Sequence, residues 1–276
     1  MISFQGGGAG WDTLTLDVLP RLTKDLSCQR TIKKMYPEGI YNRSESHELD
    51  NAFQGYTIVN VLYCSGDLHA GDVQKRGFYK DNVENAHVKQ TGYANTMATL
   101  NWIETQIGVY LAANLDNLVI SGQSAGAIGA QFWSHYILKK FAATKKVVII
   151  DSYLGVLPDN AGTLLYMLLN IMYQLNKSSL TLLVLILSGP VINGFNFCNY
   201  AQDFFPPGAR NLCPTATSTS LKTDFLQTIV ENSMLAHPDV PFAFIQSKQD
   251  FVQIGFYELI NVDPHSGKGN YYVVIN

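Results

Sequence analysis

Charge is scarce in this chain: Asp, Glu, Lys and Arg make up 15% of its 276 residues and leave a formal net charge of -3. No basic block occurs, which argues against a nucleic-acid partner. There is no long polar tract and none rich in Pro, Gly and Ser, so the chain is not of the disordered class. Internal repeats are absent, which removes solenoids and propellers. Long hydrophobic runs are absent too. Residues 164–187 are rich in Leu, Met and Ile, but Gln174-Leu175-Asn176-Lys177-Ser178-Ser179 interrupts them. Neither half reaches the roughly 18 residues of a membrane span. No charged segment, apolar segment and cleavage site precede Ile2-Ser3-Phe4, so no signal peptide is visible. Cysteine is sparse, and Cys28, Cys64, Cys198 and Cys213 fit no zinc spacing. The even count and two N-x-S sequons (Asn42-Arg43-Ser44 and Asn176-Lys177-Ser178) lean toward a secretory origin. Buried thiols and chance sequons are the plainer alternative.

What is present is apolar and patterned. Hydrophobic residues are 47% of the chain, enough for one large α/β domain or two small ones. Strand signals stand at Ile2-Ser3-Phe4, at 56–63, at 118–121, at Val147-Val148-Ile149-Ile150-Asp151, at 240–246 and at 271–275. The run at 147–151 is continuously apolar, as for a strand buried on both faces. Helical spacing appears near 20–36 and over 94–111, where Met97, Leu100, Ile103, Ile107 and Leu111 form one face. Two further helices begin at Ala125 and near Leu221. Strands alternating with helices predict an α/β fold with a mostly parallel central sheet flanked by helices. We read residues 1–276 as one domain, with a helical, cap-like insertion at about 156–214; buried core helices are the alternative for that insertion.

The chemistry centres on Val119-Ile120-Ser121-Gly122-Gln123-Ser124-Ala125-Gly126. This is G-x-S-x-G, preceded by a strand signal and followed by a helix start, the pattern of the nucleophile elbow in α/β-hydrolases. Ser124 must sit on a tight turn with its hydroxyl above the end of the sheet. Side chains at the two flanking positions would collide with the neighbouring strand and helix, which suits Gly122 and Gly126. The helix N-terminus that follows favours an anion beside the serine.

Upstream, Gln5-Gly6-Gly7-Gly8-Ala9-Gly10-Trp11-Asp12 follows the first strand. Alone, three glycines would be an ordinary turn. Ahead of an elbow they read as an oxyanion loop. Cys64-Ser65-Gly66-Asp67-Leu68-His69-Ala70-Gly71-Asp72 gathers two aspartates and a histidine. Its spacing matches no metal pattern, and a turn that shapes the pocket floor is the better reading. The strand at 240–246 leads into Ser247-Lys248-Gln249-Asp250.

Taken together, Phe4-Gln5-Gly6-Gly7-Gly8-Ala9, Tyr63-Cys64-Ser65-Gly66-Asp67-Leu68-His69, His87, Gly122-Gln123-Ser124-Ala125-Gly126 and the Phe244 to Asp250 stretch resemble the pectin acetylesterase/Notum family of carbohydrate and lipid O-deacylases. The resemblance is weakest over 156–214. It implies an α/β-hydrolase fold and a Ser–His–Asp triad, with Ser124 as nucleophile and Asp250 as acid. The Gly7 or Gly8 N–H and the Ala125 N–H would form the oxyanion hole. Trp11, Asp67, His69 and Gln123 are candidates for the pocket. Neither a metal nor an organic cofactor is implied. Members are usually secreted and act on acetylated cell-wall pectin or on a fatty-acylated signalling protein. At Gly10 relatives often carry a cysteine, which leaves the pairing of Cys28 with Cys64 open; a Cys198–Cys213 bond fits a secreted protein.

In that fold the oxyanion loop follows the third strand, the serine the fifth, the acid the seventh and the histidine the eighth. Ile2-Ser3-Phe4 would then be the third strand and 271–275 the eighth. We therefore expect a truncated chain that lacks the first strands and the segment after the last, with the catalytic histidine beyond Asn276. His265 precedes the last strand, and His69 comes too early in the chain. The expected parent is a serine carboxylic-ester hydrolase acting on O-acyl groups, acetyl esters of a polysaccharide first. The alternatives are a pseudoenzyme or carbohydrate-binding remnant without the triad base, and a deacylase of longer fatty-acyl esters. The expected partner is an acylated polysaccharide or other acyl ester, met in the secretory pathway or outside the cell.

Overall fold

The computed structural model describes residues 1–8, 39–42, 51–76, 87–153, 204–212, 225–247 and 250. Its centre is a five-stranded sheet made of β1 (Ile2–Phe4), β2 (Val59–Val61), β5 (Leu115–Gln123), β6 (Ala143–Asp151) and β7 (Phe242–Ile245), in the order β2-β1-β5-β6-β7. All four pairings are parallel, with Phe4 against Val61 and Gly122, and Gln123 against Asp151. The expected α/β class, with a parallel sheet and flanking helices, is what the chain forms.

The order carries a functional consequence. From β1 the chain moves outward to β2, then returns to the other side of β1 at β5 and continues through β6 to β7. The C-terminal ends of β1 and β5 therefore flank a topological switch point, where open α/β sheets bind ligands. The glycine loop leaves β1 at that point, and Ser124 leaves β5.

Three α-helices are described. α1 (Gly92–Gln106) buries Gly92, Thr96, Leu100 and Ile103, a stripe of i, i+4 and i+3 steps. α2 (Ala125–Lys140) is buried from Ala125 through His135, and again at Ile137 and Leu138. Its first turns are nearly free of side chains, so it can lie close on β1 and β5. Lys139 and Lys140 end it, where cations complement the helix dipole. α3 (Phe225–Ala236) packs on α2, and its Leu226 and Ile229 are buried in the core.

Several boundaries differ from the sequence reading. The helix expected over 94–111 stops at Gln106, because Gly108 takes a left-handed φ of +80° and turns the chain out of the helix. Leu111 still packs on the core, held by its N–H bond to the Gln106 carbonyl. The strand expected at 118–121 runs from Leu115 to Gln123, and the one expected at 147–151 starts at Ala143. Among the extra residues Asp116, Asn117, Gln123, Thr144 and Lys145 are polar and exposed, so apolar periodicity gives no sign of them. The strand expected over 56–63 contracts to Val59–Val61.

An antiparallel hairpin of β3 (Val73–Arg76) and β4 (His87–Gln90) was not anticipated. Of the insertion at 156–214, only 204–212 is described. There Phe204 meets the Trp133 ring edge-on at 4.5 Å and Phe205 stacks on Phe132, so this piece is packed into the α2 side of the core. The expected strand at 271–275, the expected helix at 20–36, Trp11, His265, Cys28, Cys198 and Cys213 lie outside the described residues. No helix among the described residues is long and apolar enough to cross a membrane.

Candidate active site

Ser124 stands between β5 and α2 with φ 56° and ψ -123°. That region is essentially reserved for glycine, and a non-glycine residue held there marks strain maintained by its surroundings. The surroundings are specific. The Ser124 N–H donates to the Asp151 carbonyl at 3.0 Å, and the Ser124 carbonyl accepts the Ala127 N–H at 2.9 Å. A Cβ on Gly122 would enter the Gly126 carbonyl, and one on Gly126 would enter the Phe4 carbonyl. Both obstacles are backbone and cannot turn aside. The two glycines of the G-x-S-x-G pattern are thus steric requirements of this turn. Ser124 is half-buried, and Gln123 beside it is exposed.

The glycine loop faces this turn. A Cβ placed on Gly6 would lie 2.7 Å from the Gln123 carbonyl oxygen and 3.4 Å from Ser124 Cβ. Gly7 abuts the Tyr63 ring, and Gly8 is buried. Ala125 is the first residue of α2, where helical N–H groups have no intrahelical acceptor. The three expected oxyanion positions, Gly7, Gly8 and Ala125, therefore belong to two segments that converge on Ser124. Asp250 lies after β7, half-buried, with Gln246 Nε2 donating to its Oδ2 at 3.4 Å.

Asp67 and His69 are buried at 0% and 2% exposure. Asp67 accepts from the Ser65 hydroxyl at 2.7 Å and from the Gly92 N–H at 2.6 Å. It thus places a carboxylate at the N-terminus of α1, where Thr91 offers no side-chain cap. Burial pushes its pKa up to about 6, against the pull of these hydrogen bonds. His69 Nε2 lies 2.8 Å from the Gln5 carbonyl, which can only accept, so this nitrogen carries the proton. Burial lowers the His69 pKa to about 4, so the ring is neutral at pH 7. Among the described residues no imidazole hydrogen-bonds the Ser124 hydroxyl, and no three His, Cys, Asp or Glu side chains converge on a possible metal position.

Sequence reasoning missed Gln5, Tyr63, Trp133 and Asp151. Each acts through a backbone group or through a partner more than twenty residues away, which no local pattern encodes. Cys64 is disulfide-bonded to a partner outside the described residues.

Comparison with known proteins adds a family. A structure of the Wnt deacylase Notum from Drosophila is similar over 89% of this chain at 15% identity and a TM-score of 0.43. The chain spans 61% of the length of that structure. No curated protein matches the chain. The pectinacetylesterase family model matches residues 1–160, which holds the glycine loop, the 64–72 loop and the serine elbow, and the chain belongs to the pectinacetylesterase family.

Proposed function

We propose that this chain carries the nucleophilic centre of a serine carboxylic-ester hydrolase that removes O-acyl groups, acetyl esters of a polysaccharide such as pectin first among them. The observation that supports it most is Ser124 itself: a non-glycine residue at φ 56° and ψ -123°, between a parallel strand and a helix N-terminus, facing a glycine loop. Family membership supports the ester substrate. The Ser124 hydroxyl attacks the ester carbonyl, the alcohol leaves, and water releases the acid from the acyl-enzyme. The developing oxyanion is received by N–H groups of Gly7 or Gly8 and of Ala125, each such donor being worth about 3–4 kcal/mol. Asp250 is the acid that orients the histidine base, and the base itself is assigned to none of the described residues. The disulfide at Cys64 supports a secretory setting.

The test is acetate release from acetylated pectin and from a simple acetyl ester. Wild type is expected to turn over and Ser124→Ala to lose activity by about three orders of magnitude or more. Equal rates in the two proteins would refute the mechanism. A second reading, binding without turnover, is favoured by one observation: His69, the described histidine that bonds the start of the glycine loop, has its Nε2 committed to the Gln5 carbonyl. Retention of an acetylated oligosaccharide without acetate release would support that reading.

A further inference from the structure

The geometry points to His69 as a positioning residue that aims the oxyanion loop. The inference rests on the esterase reading above and deepens it. The relevant bond is between His69 Nε2–H and the Gln5 carbonyl, 2.8 Å apart. Gln5 is the last residue before the three glycines, and its carbonyl shares a peptide plane with the Gly6 N–H. In a trans peptide the oxygen and the N–H point to opposite sides. Holding that oxygen down toward His69 turns the Gly6 N–H the other way and fixes the direction in which the loop continues through Gly7 and Gly8. Glycines have no side chain to set this direction themselves, so the anchor must come from outside the loop.

Gln5 is pinned at two further points. Its N–H donates to the Val61 carbonyl at 3.1 Å, and its side-chain Oε1 accepts the Tyr63 N–H at 3.0 Å. Without His69 these bonds would fix where the loop starts but leave the Gln5–Gly6 plane free to rotate.

The imidazole is itself immobilised, as a positioning group must be. Phe4 meets its face edge-on at 5.2 Å and Tyr63 lies at 4.6 Å. The His69 carbonyl accepts the Trp133 Nε1–H at 2.9 Å and the Thr96 hydroxyl at 3.2 Å. Its backbone is kept at φ +63°, next to Leu68 at +59°, an unusual pair of left-handed non-glycine residues. Gly129 leaves room for the ring: a Cβ there would lie 2.9 Å from His69 Cδ2. Phe4, His69 and α2 are therefore packed so that the strand, the loop and the helix carrying Ser124 share one support. The neutral ring at pH 7 keeps Nε2–H as its donor.

Two substitutions separate this role from those of a base or of mere filler. His69→Gln keeps an N–H at about the place of Nε2, whereas His69→Phe fills the site and cannot donate. In acetyl-ester hydrolysis by the full chain, His69→Phe should lower kcat about 10²-fold with KM little changed, the scale for a misplacement near the reacting atoms. His69→Gln should restore kcat to within about tenfold of wild type. Equal loss in both variants, or loss in neither, would overturn the role.

Two readouts do not need turnover. The imidazole ¹⁵N–¹H spectrum at pH 7 should show the neutral Nε2–H tautomer, and an Nδ1–H tautomer would contradict the bond. Amide exchange of residues 6–8 should accelerate in His69→Phe and stay near wild type in His69→Gln; equal exchange in all three proteins would also overturn it. If wild type hydrolyses no ester while these two readouts hold, the esterase reading fails and the anchoring of the loop stands.

Discussion

At the scale of single residues, the loop between β2 and β3 carries two buried groups whose pH dependences oppose each other. His69 has its pKa lowered from 6.5 to about 4 by burial, with the Gln5 carbonyl pulling the other way. Its stabilising contribution is complete above pH 6.5 and is lost as the pH falls through about 4. Asp67 has its pKa raised from 3.8 to about 6 by burial, so its contribution is complete below pH 3.8 and is lost as the pH rises through about 6. Tyr63, which faces Asp67, is pushed up by burial first and by the Asp67 charge second, and it does not titrate in this window. Between roughly pH 4 and 6 the two slopes largely cancel. Asp67→Asn removes one of them and keeps an acceptor for the Gly92 N–H. Denaturant unfolding should then show the variant losing about 1–3 kcal/mol more than wild type on acidification across that window. Parallel pH profiles would contradict the assignment. None of this was legible in the sequence, because Asp67 and Gly92 are brought together only by the fold. The sequence did suggest a structural turn at 64–72 in preference to a metal site, from spacing alone.

The serine elbow is the element that sequence reading placed best, and the reason is steric. Gly122 and Gly126 are required by atoms within a few residues of Ser124 and by one neighbouring strand, so the requirement is written locally. Gly126→Ala should push against the Phe4 carbonyl, a backbone atom that moves only if β1 moves. We expect a loss of about 1–3 kcal/mol in denaturant unfolding, together with loss of esterase activity; unchanged stability would show that α2 is not seated on β1. Trp133 of α2 is fully buried and gives its indole N–H to the His69 carbonyl. Trp133→Phe leaves that carbonyl with the Thr96 hydroxyl alone, and a loss of about 1–3 kcal/mol is expected on the same measurement. Elements whose ends depend on distant partners were read less well. The polar start of β6 is a strand because it pairs with Leu115–Leu118 of β5, and Val73–Arg76 is one because it pairs with His87–Gln90. Neither segment alternates in polarity. α1 ended early at a left-handed glycine that the apolar spacing alone did not reveal.

For the whole molecule, strand order is what turns local features into a site. Ser124, the glycine loop and Asp250 are separated by more than a hundred residues each, yet the order β2-β1-β5-β6-β7 puts the first two on adjacent strands and the third after β7 at the sheet's edge. The family resemblance implied the succession of loop, serine and acid; the parallel pairing of β1 with β5 sets the glycine loop beside Ser124, and the acid role of Asp250 belongs to the proposed function. The Cys64 disulfide ties the end of β2 to a segment outside the described residues. Its reduction should lower stability by about 2–4 kcal/mol, read as a fall in melting temperature with a thiol reductant; an unchanged melt would remove the main support for a secretory setting. The central claim remains that Ser124 is a nucleophile held ready by the fold. The most direct measurement is mass spectrometry of the folded chain after treatment with a serine-reactive phosphonate. One adduct, on the peptide carrying Ser124, absent in Ser124→Ala and lost on prior denaturation, is the expected result. An unlabelled Ser124, or labelling that persists after unfolding, would contradict the account.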